Sequence, residues 1–270
     1  MTLRDKQPIN KADILEEAVR ISRLAGKLLK DRFLTDFLVE YKGEVDLVTE
    51  VDRSAQDLIE KEILSKYPDH GILAEEDLEI QGSAGFQWIV DPLDGTTNYA
   101  HRFPIFSTSI AVTLDGEILC GVVYNPISEE LFKACKGSGA SLNGHPVKVS
   151  DTGNLEDSLL GTGFSARIRK AADNNLAHFG KFALKTQGIR RCGSAALDLC
   201  FVACGRLDGY WELGLKPWDI AAGILIVTEA GGRTTDFDGN DLQLDGSRVL
   251  ASNERIHAQM MAILEPRIED

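Results

Sequence analysis

Trp88 to Asn98 reads WIVDPLDGTTN, an apolar run broken at once by two aspartates, a proline and a glycine. Trp88, Ile89 and Val90 have the pattern of a buried strand end, and Pro92 and Gly95 predict a tight turn that stops the strand. Asp91 and Asp94 are therefore delivered together at a strand end. Two carboxylates crowded there repel each other and lose hydration unless a cation or several donors neutralise them. Turn chemistry accounts for a lone Asp-Gly, but this segment adds Gly95-Thr96-Thr97, with its hydroxyls and turn N–H groups. Hard oxygen ligands suit Mg²⁺ and a turn of N–H groups suits phosphate, so the segment predicts a cation and an anion meeting in one place.

The rest of the chain bounds the setting. Its 270 residues, 43% of them hydrophobic, can bury a sizeable core in one large or two small domains. A net charge of -13 argues against nucleic acid as a direct ligand. A solvated acidic surface explains most of that excess, with bound metal offsetting part. Cys120, Cys135, Cys192, Cys200 and Cys204 are odd in number and lack a Cys-x-x-Cys pair, which predicts reduced thiols. Cys200 and Cys204 fall on an apolar helical run and read as small buried side chains rather than ligands. The opening MTLRDKQPINKADILEEAVR carries charge where a signal peptide needs an apolar core. No apolar run reaches membrane-spanning length, and a cytoplasmic address is expected.

Asn10, with Asp13 three residues on, predicts a helix start, and Ile14, Ala18, Ile21, Ala25 and Leu28 then recur at helical spacing. A second helix is expected from about Thr49 to Lys66, followed by a short strand, Gly71 to Ala74, that ends in Glu75-Glu76. Three strand-like runs, FSTSIAVTL, ILCGVVYNP and EELFKAC, are separated by Asp115-Gly116 and Asn125-Pro126, with Asn143-Gly144 beyond them. They predict consecutive hairpins in an antiparallel sheet. From about Ser158 the pattern alternates: strand SLLGTG, a helix around Lys170 to Lys185, strand GIRRCG, helix SAALDLCFVACG, strand DGYWEL, helix DIAAGILIVTEAGG, strand RVLAS and a last helix. That half reads as α/β. No repeat, low-complexity tract or long polar linker divides the halves, which are expected to share one unit.

Several acids elsewhere have ordinary explanations when taken singly. Asp219, behind Pro217 and Trp218, reads as a helix N-cap. Asp52 falls in the first turn of the second helix, where the helix dipole favours acid. Glu75 reads as a solvated turn residue and Glu212 as a solvated strand end.

Taken together, DLVTEVD (46 to 52), AEED (74 to 77), DPLDGTTN (91 to 98), GSAALDL (193 to 199) and KPWDIAAG (216 to 223) resemble the inositol monophosphatase family, bacterial members above all, over nearly the whole chain. The resemblance implies a layered α-β-α-β-α sandwich: residues 1 to about 150 form the antiparallel part with the main metal motif, and residues 151 to 270 the α/β part. It implies hydrolysis of inositol-1-phosphate by water without a phosphoenzyme. Fructose-1,6-bisphosphatase, NADP(H) phosphatase and 3'-phosphoadenosine nucleotidase share the metal motif and are the alternatives.

Residue by residue, the resemblance implies a first Mg²⁺ on Glu75, Asp91 and the Leu93 carbonyl, and a second on Asp91, Asp94 and Asp219. A third, weaker ion would lean on Glu75. Thr96, polarised by Asp52, would activate the water, and the N–H groups of Gly95 and Thr96 would bind phosphate. Lys42 would lie near the phosphate, although an exposed loop lysine is its ordinary reading. Gly193, Ala195 and Glu212 would face the alcohol part of the substrate. His101 is given no catalytic role. Lithium sensitivity, a homodimer and, by analogy with some bacterial relatives, a transcription-machinery protein partner complete what the resemblance implies.

Overall fold

The computed structural model describes residues 11–41, 47–165, 168, 174–244, 246 and 248–264. The first apolar stripe becomes helix α1 (Lys11–Arg32), which buries Ile14, Ala18, Ile21, Ala25 and Leu29 along one face. Leu29, rather than the expected Leu28, completes the stripe, and Asn10 lies outside the described residues. A hairpin of β1 (Val39–Tyr41) and β2 (Leu47–Thr49) leads into α2 (Glu50–Lys66). Thr49 caps α2: its hydroxyl accepts from the Asp52 N–H at 3.3 Å, while the Asp52 carboxylate accepts from the Thr49 N–H at 2.9 Å.

The first sheet contains β3 (Gly71–Ala74), β4 (Leu78–Ile80), β5 (Phe86–Asp94), β6 (Ser107–Leu114), β7 (Glu117–Asn125), β8 (Glu130–Cys135), β9 (Ala140–Leu142) and β10 (His145–Pro146), with helix α3 (Thr96–Ala100) between β5 and β6. Its order is β10-β9-β8-β7-β6-β5-β3-β4. Every neighbouring pair is antiparallel except β3 and β5. The consecutive hairpins expected from the three strand-like runs are β6, β7 and β8, paired antiparallel. After the β3–β4 hairpin the chain crosses back through Gly82 and Gly85 and enters β5 beside Gly71, so β5 runs with β3.

The second sheet contains β11 (Leu159–Thr162), β12 (Gly188–Arg190), β13 (Gly209–Leu213), β14 (Arg233–Thr235) and β15 (Arg248–Ser252), in the order β12-β11-β13-β15-β14. β11 runs parallel to β12 and β13, while β15 is antiparallel to β13 and β14. Its helices are α4 (Leu176–Ala183), α5 (Ala195–Ala203), α6 (Pro217–Glu229) and α7 (His257–Leu264). Of the helix expected around Lys170 to Lys185, the described residues show α4, from Leu176 to Ala183. Asn175 precedes it in the left-handed region, φ 67°, and Lys170 lies outside the described residues.

Strand alternation divides the layers. On β5, Trp88 and Val90 face α1 and α2 in a cluster with Ile14, Ile21, Ile59 and Ile63. Ile89 points the other way, to α5 and α6, into a core that also takes Tyr210, Val249 and Ala251 from the second sheet. On the far side Phe182 and Met260 of α4 and α7 pack on Trp211 and Leu250. The result is the layered α-β-α-β-α arrangement. Among the described residues no helix is long and apolar enough to cross a membrane.

Candidate active site

β5 does not stop at Pro92, as its sequence predicts, but continues to Asp94. Its ladder to β6 pairs Asp91 with Ser109 and Asp94 with Ser107, so one extra residue is bulged out between them. A bulge accommodates proline because no ladder N–H is needed there. Gly95 then turns the chain into α3 at φ 99°. An added Cβ would stand 3.1 Å from both the Gly193 and Ile105 carbonyl oxygens, so glycine is required. Asn98 ties the same loops together, donating from Nδ2 to the Ile105 and Cys192 carbonyls at 2.7 Å each.

Asp91 and Asp94 are both buried. The Asp94 carboxylate sits on the start of α5, accepting from Ser194 Oγ at 2.6 Å, the Ala196 N–H at 2.8 Å and the Ala195 N–H at 3.3 Å. Burial nevertheless pushes its pKa up to about 6. Asp91 accepts the Leu93 N–H at 2.9 Å. It is held well above the usual carboxylate range by burial first, and then by the charges of Glu75, Asp94 and Asp219.

Asp219 is not the N-cap its sequence suggests. Lys216 takes that position, and Asp219 is the third residue of α6, accepting the Lys216 N–H at 2.7 Å. Ser109, opposite Asp91 in the ladder, donates its hydroxyl to the Trp218 carbonyl at 3.2 Å. That bond brings the start of α6 to the bulge. Burial, followed by the charge of Asp94, raises Asp219 well above its ordinary value. Glu75 stands in the turn after β3, half-buried, and its charge acts on both Asp91 and Asp219.

Four acids thus converge, and no lysine or arginine among the described residues is bonded to Asp91, Asp94 or Asp219. Among the described residues no three His, Cys, Asp or Glu side chains already stand as a formed metal cage. The donors fit a hard divalent cation through their chemistry: oxygen ligands whose mutual repulsion a cation relieves.

Thr96, the first residue of α3, places its hydroxyl 3.1 Å from Asp52 Oδ1 and 3.1 Å from the Leu93 carbonyl. Asp52 is buried beneath it, raised to about 6 by that burial against the bonds from Thr49. Glu212, whose ordinary reading taken singly is a solvated strand end, is buried on β13 and accepts a hydrogen bond from the Tyr210 hydroxyl. Burial pushes it up to about 7. Gly193, at φ 84°, lies against Asn98. His101 is exposed, the five cysteines are free thiols, and Lys42 lies outside the described residues.

Sequence reasoning missed three residues that build this site. Ser194 was legible as an N-cap from its place before the apolar run AALDL, but its bond to Asp94 joins segments 100 residues apart. Asn98 sits inside the quoted motif without a local signal for its cross-loop bonds. Tyr210 reads as one more apolar residue of a buried strand.

The chain is similar to known proteins over most of its length. The model of the inositol monophosphatase family matches residues 10–269. An inositol-1-monophosphatase of Synechocystis sp. is 49% identical over 228 residues, 84% of this chain and 79% of that protein. The Nus factor SuhB of Escherichia coli K12 is 42% identical over 260 residues, 95% of this chain and 97% of that protein. The solved structure of an inositol monophosphatase from Anabaena (Nostoc) sp. superposes with a TM-score of 0.87 at 40% identity, covering 96% of this chain and 99% of that one.

Proposed function

The chain belongs to the inositol monophosphatase family, and from that premise we propose that it is a Mg²⁺-dependent phosphatase releasing inositol and phosphate from inositol-1-phosphate. The reading rests on the convergence of Asp91, Asp94 and Asp219, buried or half-buried acids with no cationic side chain bonded to them among the described residues. In this proposal Glu75, Asp91, the Leu93 carbonyl, Asp94 and Asp219 hold two or three Mg²⁺. Bound there, Mg²⁺ neutralises charge on the phosphate and lowers the pKa of water.

The chain's own groups do the rest. Asp52 Oδ1 accepts the Thr96 hydroxyl hydrogen, which turns a Thr96 lone pair toward the attacking water and orients it. The N–H groups of Gly95 and Thr96 receive phosphate oxygens. Gly193 lines the alcohol side, and Glu212 accepts from a substrate hydroxyl there. The Ala195 N–H is engaged by Asp94, so its contribution runs through that carboxylate. Lys42 beside the phosphate, a homodimer, inhibition by Li⁺ and a cytoplasmic address belong to the proposal through the family resemblance.

The experiment is a panel of kcat/KM values for inositol-1-phosphate, fructose-1,6-bisphosphate, NADP and 3'-phosphoadenosine 5'-phosphate. Inositol-1-phosphate is expected to lead; a higher value for another substrate reassigns the enzyme within its class. A second reading, a transcription-machinery protein partner, is favoured by the 42% identity to the Nus factor SuhB. Pull-downs with wild type and Asp94→Asn separate the two readings, because docking survives loss of the metal site and catalysis does not.

A further inference from the structure

β11 ends in Gly161-Thr162, Gly163 follows it, and β13 runs parallel beside it with Gly161 opposite Tyr210 and Thr162 opposite Trp211. The same register sets Gly163 beside Glu212. Tyr210 and Glu212 are two residues apart on one strand and so share a face. They lie over the two glycines. A Cβ added at Gly161 would stand 2.8 Å from Leu207 Cδ1 and 3.3 Å from the Tyr210 ring. One added at Gly163 would overlap the Glu212 carboxylate, meeting Cδ and both oxygens. Alternate glycines have therefore cleared one face of β11 so that the Tyr210 ring and the Glu212 carboxylate can lie across it.

The opposite face supplies the rigidity that two glycines remove. Asn175, itself buried, donates from Nδ2 to Thr162 Oγ1 at 2.9 Å and to the Gly163 carbonyl at 2.8 Å, and accepts the Trp211 Nε1–H at 2.7 Å. The Thr162 hydroxyl donates to the Trp211 carbonyl at 2.7 Å. Both strands are thus pinned from behind where the seat needs to stay open.

The Tyr210 hydroxyl donates to Oε2 of Glu212. Oε1 has no hydrogen-bond donor among the described residues. A carboxylate with one oxygen held and the other bare, on a fixed strand, is a preorganised acceptor. We propose that Tyr210 and the bare face of Gly161 and Gly163 are positioning elements that fix Glu212 so that Oε1 receives one hydroxyl of a polyol monophosphate. This rests on the phosphatase reading and deepens it, because polyol choice then depends on residues that do not touch the substrate.

The test compares inositol-1-phosphate with 4-nitrophenyl phosphate, which has no hydroxyl to donate, in Mg²⁺-loaded wild type, Glu212→Gln, Tyr210→Phe, the double variant and Gly163→Ala. Glu212→Gln should lower kcat/KM for inositol-1-phosphate roughly ten- to a hundredfold and leave the aryl phosphate within about twofold. Tyr210→Phe should lower the inositol-1-phosphate value about three- to tenfold, mainly through KM. In the Glu212→Gln background it should add nothing, since a residue acting only through another is silent once that other is removed. Gly163→Ala, which displaces the carboxylate directly, should reproduce the selective loss even if Tyr210→Phe proves unstable. Equal losses on both substrates, multiplying effects in the double variant, or full selectivity in both Tyr210→Phe and Gly163→Ala each overturn the inference. Unchanged selectivity in Glu212→Gln alone instead removes the role of Glu212 on which the inference stands.

Discussion

The Thr96 hydroxyl and the Asp52 carboxylate, 44 residues apart in sequence, meet at 3.1 Å where α2 approaches the start of α3. The Thr49 cap holds Asp52 from behind, so its carboxylate serves a helix end and the site at once.

Replacing either partner should cost turnover more than binding. Asp52→Asn and Thr96→Ala are expected to lower kcat roughly a hundred- to ten-thousandfold with KM changed little. With burial raising Asp52 to about 6, kcat/KM of the wild type should fall on the acid side of about pH 6 as this carboxylate takes up a proton. A pH profile flat from 7 to 5 contradicts this assignment.

Ser194 donates to Asp94 at 2.6 Å and also caps α5, accepting the Leu197 N–H at 3.3 Å. Ser194→Ala should cost about 1 kcal/mol of stability through the lost cap. It should also raise the Mg²⁺ concentration for half-maximal activity roughly ten- to a hundredfold, as loss of a group that orients a metal ligand does. Ser194→Thr, which keeps the hydroxyl, should recover both. An unchanged Mg²⁺ requirement in the alanine variant would leave Ser194 as a helix cap alone.

His257 is buried between the Thr235 hydroxyl at 2.9 Å and the Ser252 hydroxyl at 2.8 Å. Burial lowers it from 6.5 to about 4. The unfolded chain therefore binds a proton between those values that the folded chain refuses. The stability contribution is complete above pH 6.5 and is lost as pH falls toward 4, by roughly 3 kcal/mol at most. His257→Leu should be less stable than wild type at pH 7.5, because two hydroxyls lose their partner, but the difference should shrink at pH 5. Urea unfolding midpoints at the two pH values decide it, and a constant difference refutes the buried neutral histidine.

What was legible in the sequence was what local pattern encodes. The long helices α1, α2, α5 and α6 follow from apolar spacing and caps, and the acid-rich motif follows from an apolar strand that breaks into Asp, Pro and Gly. The three-residue strands β4 and β14 are too short to carry a period. Proline at position 92 reads as a stop because a bulge is a property of two strands, invisible in one. Taken singly, Glu212 reads as solvated because its carboxylate packs on Gly163, a residue distant in sequence that follows β11. Asn175, in the left-handed region before Leu176, is bonded to Trp211 of a distant strand, a contact that its local sequence does not show.

The central claim is that these carboxylates hold the divalent cation on which phosphate release depends. Release of inorganic phosphate from inositol-1-phosphate, measured in Mg²⁺ and in EDTA for wild type and Asp94→Asn, tests it most directly. The account predicts turnover that disappears in EDTA, returns with added Mg²⁺, and falls by orders of magnitude in Asp94→Asn. Full phosphate release in EDTA, or an Asp94→Asn variant as active as wild type, contradicts it.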